Sequence, residues 1–233
     1  MSQQPGKSID LTSPLIVGIV TDSESLDAVT SSAESASFCD LLEIRLDAFP
    51  NFDTSSLKAL NDNDLPKLFT ARDPIEKGMN SLSVEHREQL LRLALPFANL
   101  IDVELRNFEQ MKELIEDARR SGVSVVGSFH DFDRFPEDTV RTCFANTRSA
   151  DVVKIAVHLD TENELDVLED AFRNRQFSTP AAFMGMGPLG QESRLRALRL
   201  GSVLNYGFLG APNAPGQWSA RELREHLDKM ERP

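Results

Sequence analysis

Residues 100–157, LIDVELRNFEQMKELIEDARRSGVSVVGSFHDFDRFPEDTVRTCFANTRSADVVKIAV, carry the pattern that decides the fold. Three short apolar runs stand in it: Leu100–Leu105, Val123–Phe129 and Val152–Val157. Runs this continuous and rich in Val and Ile suit strands covered on both faces, as in a parallel sheet. A parallel pair needs a crossover long enough for a helix, and the spacers provide it; Phe108–Arg120 has helical periodicity.

The same alternation extends in both directions. Leu15–Val20, Leu41–Leu46 and Lys67–Ala71 precede the central stretch, and Ala181–Met186 and Val203–Leu209 follow it, giving eight candidate strands. Helical segments are predicted at Ser83–Leu95, Glu162–Arg173, Ser193–Leu200 and Ser219–Met230. In the last of these Ser219 caps the first turn, with Glu222 as its capping-box partner. Eight strand–helix units in 233 residues predict an α/β chain folded as one (β/α)8 TIM barrel over residues 1–233, with 1–13 a flexible or extended leading segment. The alternative is a doubly wound open sheet. That fold favours a glycine-rich phosphate loop after the first strand, where this chain has Thr21-Asp22-Ser23-Glu24.

Composition narrows the function. With 25 basic against 37 acidic side chains the formal charge is -12, which argues against a partner bound through a phosphate backbone. It leaves room for an anionic small molecule, because net charge does not fix the field inside one pocket. Cys39 and Cys143 lack metal or redox spacing and predict free thiols. No apolar stretch reaches membrane-spanning length, and the N-terminus lacks a secretory pattern, so a cytoplasmic protein is expected.

In a barrel, polar chemistry gathers at the C-terminal ends of the strands. Glu43 and Arg45 share one face of strand two; strand three runs into Arg72, with Glu76 four residues on. Asp102 and Glu104 are in phase on strand four, and strand five ends in His130. Lys154 lies inside the apolar run VVKIAV, a poor home for an ammonium. Burial favours its free amine, which can attack a ketone to form a Schiff base. The plainer reading is an ion pair with Glu104 or Glu43. His130 has a side chain suited to acid–base work near neutrality. Arg45, Arg72 and Arg194 suit carboxylate or hydroxyl recognition, with Glu43, Asp102 and Glu104 as balancing charges. Met184 and Met186 read as apolar wall. Gly210–Gln217 is either a tight connection or a lid. His86, His158 and His226 show no metal-ligand spacing, so neither metal nor cofactor is predicted.

Taken in order, these segments resemble the type I 3-dehydroquinate dehydratases. The similar stretches are EIRLD at Glu43–Asp47, TARDPIEKG at Thr70–Gly78 and DVEL at Asp102–Leu105. SFHDF at Ser128–Phe132, ADVVKIAV at Ala150–Val157, FMGMGPLGQESR at Phe183–Arg194 and APGQ at Ala214–Gln217 complete the set. The resemblance implies a homodimeric barrel that dehydrates 3-dehydroquinate. It makes Lys154 the imine-forming nucleophile, His130 the acid and base, and Glu76 the group orienting His130. Arg194 would clamp the substrate carboxylate, Glu43, Arg45, Arg72 and Gln217 would bind hydroxyls and carboxylate, and Met184 and Met186 would form an apolar floor.

Two departures stand out. Lys77 replaces a usual glycine after Glu76, which predicts a less permissive, more charged loop; Asn213 replaces a usual serine in the closing loop, which predicts a shifted contact to the substrate. A rival enzyme is a Schiff-base aldolase with a phosphate cradle at Gly185-Met186-Gly187 or Gly207. A non-enzymatic rival is an inactive barrel kept as a binding module.

Overall fold

The eight apolar runs form eight parallel strands in sequence order: β1 Leu15–Val20, β2 Leu41–Arg45, β3 Lys67–Thr70, β4 Leu100–Glu104, β5 Ser124–Asp131, β6 Val152–His158, β7 Ala181–Met186 and β8 Leu204–Phe208. These come from a computed structural model that describes residues 9–31, 36–49, 53–60, 63–145, 150–175, 178–210, 212 and 216–231. Strands β1 to β7 each pair with the next in sequence, β8 returns to pair with β1, and no ladder among the described residues joins β7 to β8. Between β7 and β8 the ring is drawn together where Val203 N–H donates to the Ala181 carbonyl at 3.0 Å.

Helices α1 Ser23–Ser31, α2 Thr54–Leu60, α3 Val84–Ala94, α4 Lys112–Arg120, α5 Glu137–Ala145, α6 Glu162–Arg173, α7 Gly190–Arg199 and α8 Ala220–Glu231 alternate with the strands. Sequence patterning placed α6 at its observed bounds and α8 within a residue, including the Ser219–Glu222 capping box. Two helix starts differ. The expected helix from Phe108 begins at Lys112, because Leu105–Asn107 form a 3-10 turn that buries Asn107 against Asp73 and Glu104. Helix α7 begins at Gly190 rather than Ser193, whose hydroxyl is inside the helix: it accepts from Gly185 N–H and donates to the Gly190 carbonyl.

Strand alternation sorts side chains into two environments. Ile16, Val20, Leu42, Ile44, Phe69, Ile101 and Val103 join the helices in one outer core, and Val153, Ile155, Val157 and Phe183 in another. The barrel interior fills in layers of four, each from alternate strands. Leu41, Leu100, Val152 and Leu204 make one such layer on the even strands, and Val17, Leu68, Val126 and Ala182 make the next on the odd strands. Ile9 and Leu11, ahead of β1, pack against this interior cluster. Above these apolar layers the alternation continues but the chemistry changes.

Candidate active site

Two residues along each even strand, the next layer consists of Glu43, Asp102, Lys154 and Tyr206, all at most 4% exposed. A buried ammonium is tolerable only if paired, and Lys154 is. Its Nζ donates to Asp102 Oδ2 at 2.8 Å and lies 3.6 Å from Glu43 Oε1. The lysine also stands over the Tyr206 ring, 4.4 Å from its centroid. Of the two partners expected for Lys154, Glu43 is a secondary neighbour and Glu104 is committed elsewhere. Glu104 accepts from Arg72 Nη1 at 2.8 Å and from Arg87 Nη1 at 2.7 Å. Asp102 takes the lysine because it occupies the same layer, whereas Glu104 lies two residues higher on β4.

Asp102 is the hub. It also accepts from Ser128 Oγ at 2.5 Å and pairs with Arg72 Nη2 at 3.0 Å. Burial alone would raise its pKa, yet Arg72 and Lys154 hold the carboxyl well below the usual carboxylate range. Arg72 thus spends its guanidinium on Asp102, Glu104 and Ser128 while still lining the cavity. Its backbone N–H donates to Asp47, which also holds Arg45 through two bonds of 2.9 and 2.8 Å.

One register step from Lys154, across the β5–β6 ladder, is the acid–base pair. Ser128 aligns with Lys154, and His130 follows two residues on along the same face. Glu76 sits on the 3-10 turn Pro74–Glu76 after β3, with Asp73 capping that turn. Glu76 Oε2 lies 2.8 Å from His130 Nδ1 and accepts the His130 backbone N–H at 3.0 Å. Glu76 therefore fixes the ring and, once ionised, holds the hydrogen on Nδ1 and leaves Nε2 as the other titrating nitrogen. Desolvation pushes Glu76 up to about 8; Arg72 opposes this, while Glu104 and Asp102 add to it. Desolvation, with Arg72 and Lys154 nearby, holds the His130 imidazole well below its ordinary value.

The layer and the dyad open on a cavity at the C-terminal mouth. Five of its fifteen lining residues are cationic, Arg45, Arg72, Lys77, Lys154 and Arg194, against the carboxylates Glu43 and Glu76. An acidic protein thus carries a mouth that favours anions. Arg194, on α7, donates through Nη1 to the carbonyls of Gly185, Gly190 and Gly216 at 2.6, 2.9 and 3.3 Å. It forms no ion pair with any described carboxylate, and desolvation lowers its pKa to about 10. Met184 and Met186 line the wall, and Gln217 reaches the same cavity. Gly216 takes a left-handed φ of 71°, and a Cβ there would stand 2.8 Å from the Gly187 carbonyl oxygen. The end of the closing loop is thereby seated against the β7–α7 connection. Asn213 lies outside the described residues.

Lys77 supplies the charge expected of its loop. It adopts a left-handed φ of 57°, and its Nζ pairs with Asp133 at 2.7 Å across the mouth. Gly78 beside it has no room for a side chain, since a Cβ would meet the Arg72 carbonyl oxygen at 2.1 Å. The phosphate-cradle alternative fits poorly: Gly185 N–H is already bonded to Ser193 Oγ, and Gly187 and Gly207 serve close packing against His158 and Ala220. Cys39 and Cys143 are free thiols. Among the described residues, no group of three or more His, Cys, Asp or Glu side chains is placed to hold a metal ion.

Two buried residues escaped the sequence reading. Arg87 looks like one charge on an amphipathic helix, but it is buried and bridges Asp73 and Glu104. Tyr206 looks like strand core; the signal that points to it is its phase with Glu43, Asp102 and Lys154 on the even strands.

A parallel eight-stranded barrel whose mouth joins a buried, acid-paired lysine to an imidazole–carboxylate dyad defines a class: a barrel enzyme equipped for amine and acid–base chemistry. Comparison with known proteins narrows it. Residues 17–232 match the model of the family described as type I 3-dehydroquinase. A 3-dehydroquinate dehydratase from Thermococcus gammatolerans is 34% identical over 221 residues, covering 91% of this chain and 97% of the relative. The solved 3-dehydroquinate dehydratase from Geobacillus kaustophilus superposes with a TM-score of 0.84 at 27% identity, covering 94% and 92% of the two chains. A type I 3-dehydroquinate dehydratase from Clostridium difficile, solved with covalently modified comenic acid, gives 0.83 at 28% identity with the same coverage. The chain belongs to the type I 3-dehydroquinase family.

Proposed function

We propose that this protein dehydrates 3-dehydroquinate to 3-dehydroshikimate, a step of the shikimate pathway, through an imine on Lys154. The observation that carries the reading is that a single cavity is lined by Lys154, by the His130–Glu76 dyad and by Arg194. The Lys154 amine adds to the substrate ketone at C3 and, as water leaves, becomes a protonated imine whose nitrogen is an electron sink. His130 Nε2 removes the proton from C2; the electrons flow toward the imine, and the C1 hydroxyl departs with the proton that His130 returns. Water then hydrolyses the imine, releasing product and the free lysine. Because the imine draws the electrons, the reaction needs no metal or cofactor.

Arg194 pairs with the substrate carboxylate, the anion its surroundings lack. Arg45 and Gln217 orient hydroxyls from the rim, and Glu43 does so from the layer that holds Lys154. Arg72 acts on bound substrate from a position already fixed by Asp102 and Glu104, and Met184 and Met186 pack against the ring. Asn213 contributes a further contact from the closing loop. The covalently modified comenic acid in the structure of the Clostridium difficile relative is in keeping with a covalent step. The one-barrel chain is expected to act as a cytoplasmic homodimer with no nucleic-acid or membrane partner, in keeping with its acidic composition; no described helix is long and apolar enough to cross a membrane. Purified protein mixed with 3-dehydroquinate should generate the conjugated enone of the product, seen as new ultraviolet absorbance. No absorbance change with 3-dehydroquinate, alongside turnover of a keto sugar phosphate, would return the aldolase reading.

A further inference from the structure

We propose that Tyr206 is a proton relay for imine formation and hydrolysis: its phenol accepts a proton from the Lys154 nitrogen while giving its own to the oxygen on the substrate's C3. This deepens the proposed function and rests on Lys154 being the nucleophile.

The geometry makes the argument. Tyr206 is the fourth member of the polar layer, 3% exposed, and lines the reaction cavity. Lys154 Nζ donates to its hydroxyl at 3.4 Å, a long contact of the kind that tightens when a reacting complex forms. The oxygen accepts in that contact, and among the described residues no acceptor takes the phenolic proton. A hydroxyl that accepts from the amine and has its own proton free toward the cavity is arranged as a relay. Burial, reinforced by Glu43 and Asp102, keeps the phenol's pKa well above its ordinary value, so it stays neutral and retains the proton it must pass on.

The chemistry balances. When the neutral amine attacks, the C–N bond forms and the carbonyl π electrons move to oxygen, leaving nitrogen positive and oxygen negative. One proton passes from nitrogen to the phenol oxygen as the phenol's own proton passes to the alkoxide. The result is a neutral carbinolamine beside an unchanged tyrosine. The proton that the Lys154 ammonium gives to His130 Nε2 on becoming the free amine is then returned as the carbinolamine loses its hydroxyl as water, and hydrolysis runs the same transfers backward. The barrel's order separates the two devices: His130 is on β5, next to the lysine strand β6, and Tyr206 is on β8, beyond β7 on the other side. His130 serves C2, C1 and the departure of water from C3, while Tyr206 serves the proton transfer from nitrogen to the C3 oxygen.

Tyr206→Phe keeps the ring beneath Nζ and removes only the relay. Rapid mixing with 3-dehydroquinate followed by a borohydride quench measures how fast the imine appears on Lys154. The variant is expected to form it about ten- to a hundredfold more slowly, the cost of one charge-assisted hydrogen bond. Its kcat falls more than its KM changes, and the isotope effect from deuterium at C2 shrinks, because imine formation has replaced proton abstraction as the slow step. A merely structural tyrosine would not move that isotope effect. An imine appearing at the wild-type rate in a folded Tyr206→Phe protein overturns the proposal.

Should that variant not fold, the chain's single tyrosine allows a cleaner substitution. Trifluorotyrosine incorporated biosynthetically labels only this position and ionises at lower pH. Imine formation should then fall as pH rises through the altered phenol's pKa, while the unlabelled protein shows no such fall; identical profiles overturn the relay. If the wild-type protein itself traps no imine, the underlying reading fails rather than this one.

Discussion

Replacing Glu76 by glutamine removes a charge while leaving an acceptor of nearly the same shape, and its effect depends on pH in a way a steric change would not. Glu76 Oε2 receives Nδ1 at 2.8 Å and the His130 backbone N–H at 3.0 Å, and a glutamine carbonyl can receive both. What is lost is attraction to the imidazolium that forms when His130 takes the C2 proton. At an effective dielectric near 20, unit charges at that separation attract by about 6 kcal/mol, an upper bound. A charge-assisted hydrogen bond contributes less, about 1.5–3 kcal/mol, or roughly ten- to 150-fold in kcat.

The sign with pH follows from Glu76, raised to about 8. Below that pH its carboxyl holds a proton and donates to Nδ1, so the ring hydrogen sits on Nε2 and the base is blocked. Above it, the carboxylate takes the Nδ1 hydrogen and Nε2 is free. Wild-type kcat/KM should therefore climb about tenfold per pH unit toward 8 and then level. Glu76→Gln should be lower above pH 8 and nearly flat below it. Steady-state rates from pH 6 to 9.5 make the comparison; a glutamine variant that keeps the rising limb through 8 refutes the reasoning. Stability carries the same signature. The folded state holds the Glu76 proton up to about 8 and the unfolded chain only to 4.5, so this contribution is complete below 4.5 and lost as pH rises to 8. Against Glu76→Gln, the wild type should lose up to a few kcal/mol of unfolding free energy across that window.

Arg194→Gln should raise KM for 3-dehydroquinate about ten- to a hundredfold, as expected for one lost guanidinium–carboxylate pair, and lower kcat less; an unchanged KM would dissociate Arg194 from the substrate carboxylate. Lys77→Gly relieves a left-handed φ that costs a side-chain-bearing residue about 1 kcal/mol, so the melting temperature should hold or rise slightly. The same variant should raise KM at low salt and lose that effect at high salt; a clear fall in melting temperature would contradict the strain argument. Arg87→Ala strands Asp73 and Glu104 in the interior and should cost about 3–5 kcal/mol in chemical denaturation, far more than a solvated helix charge. A loss under 1 kcal/mol would mean the network is not held by Arg87.

The barrel was legible because its strands are covered on both faces and so appear as unbroken apolar runs, from LIVGIV in β1 to AAFMGM in β7. The lysine was legible for the converse reason, as the single charge within the run VVKIAV. Its partner was not, because choosing among Glu43, Asp102 and Glu104 requires the stagger between β4 and β6, and stagger is set by barrel closure rather than by local sequence. Arg87 was not singled out because helical periodicity tells which side of α3 meets the barrel but not that two buried carboxylates wait there. Tyr206 was passed over because a tyrosine in a strand is ordinary core until its layer is known. The helix from Phe108 was set too early because a 3-10 turn and a helical turn share apolar spacing over so short a stretch.

The most direct test of the account is borohydride reduction of the protein in the presence of 3-dehydroquinate, followed by peptide mass analysis. The account predicts activity lost in step with a mass increase of one reduced substrate adduct on the peptide carrying Lys154, and neither effect in Lys154→Met. Full activity after reduction, or an adduct on any other lysine, would contradict it.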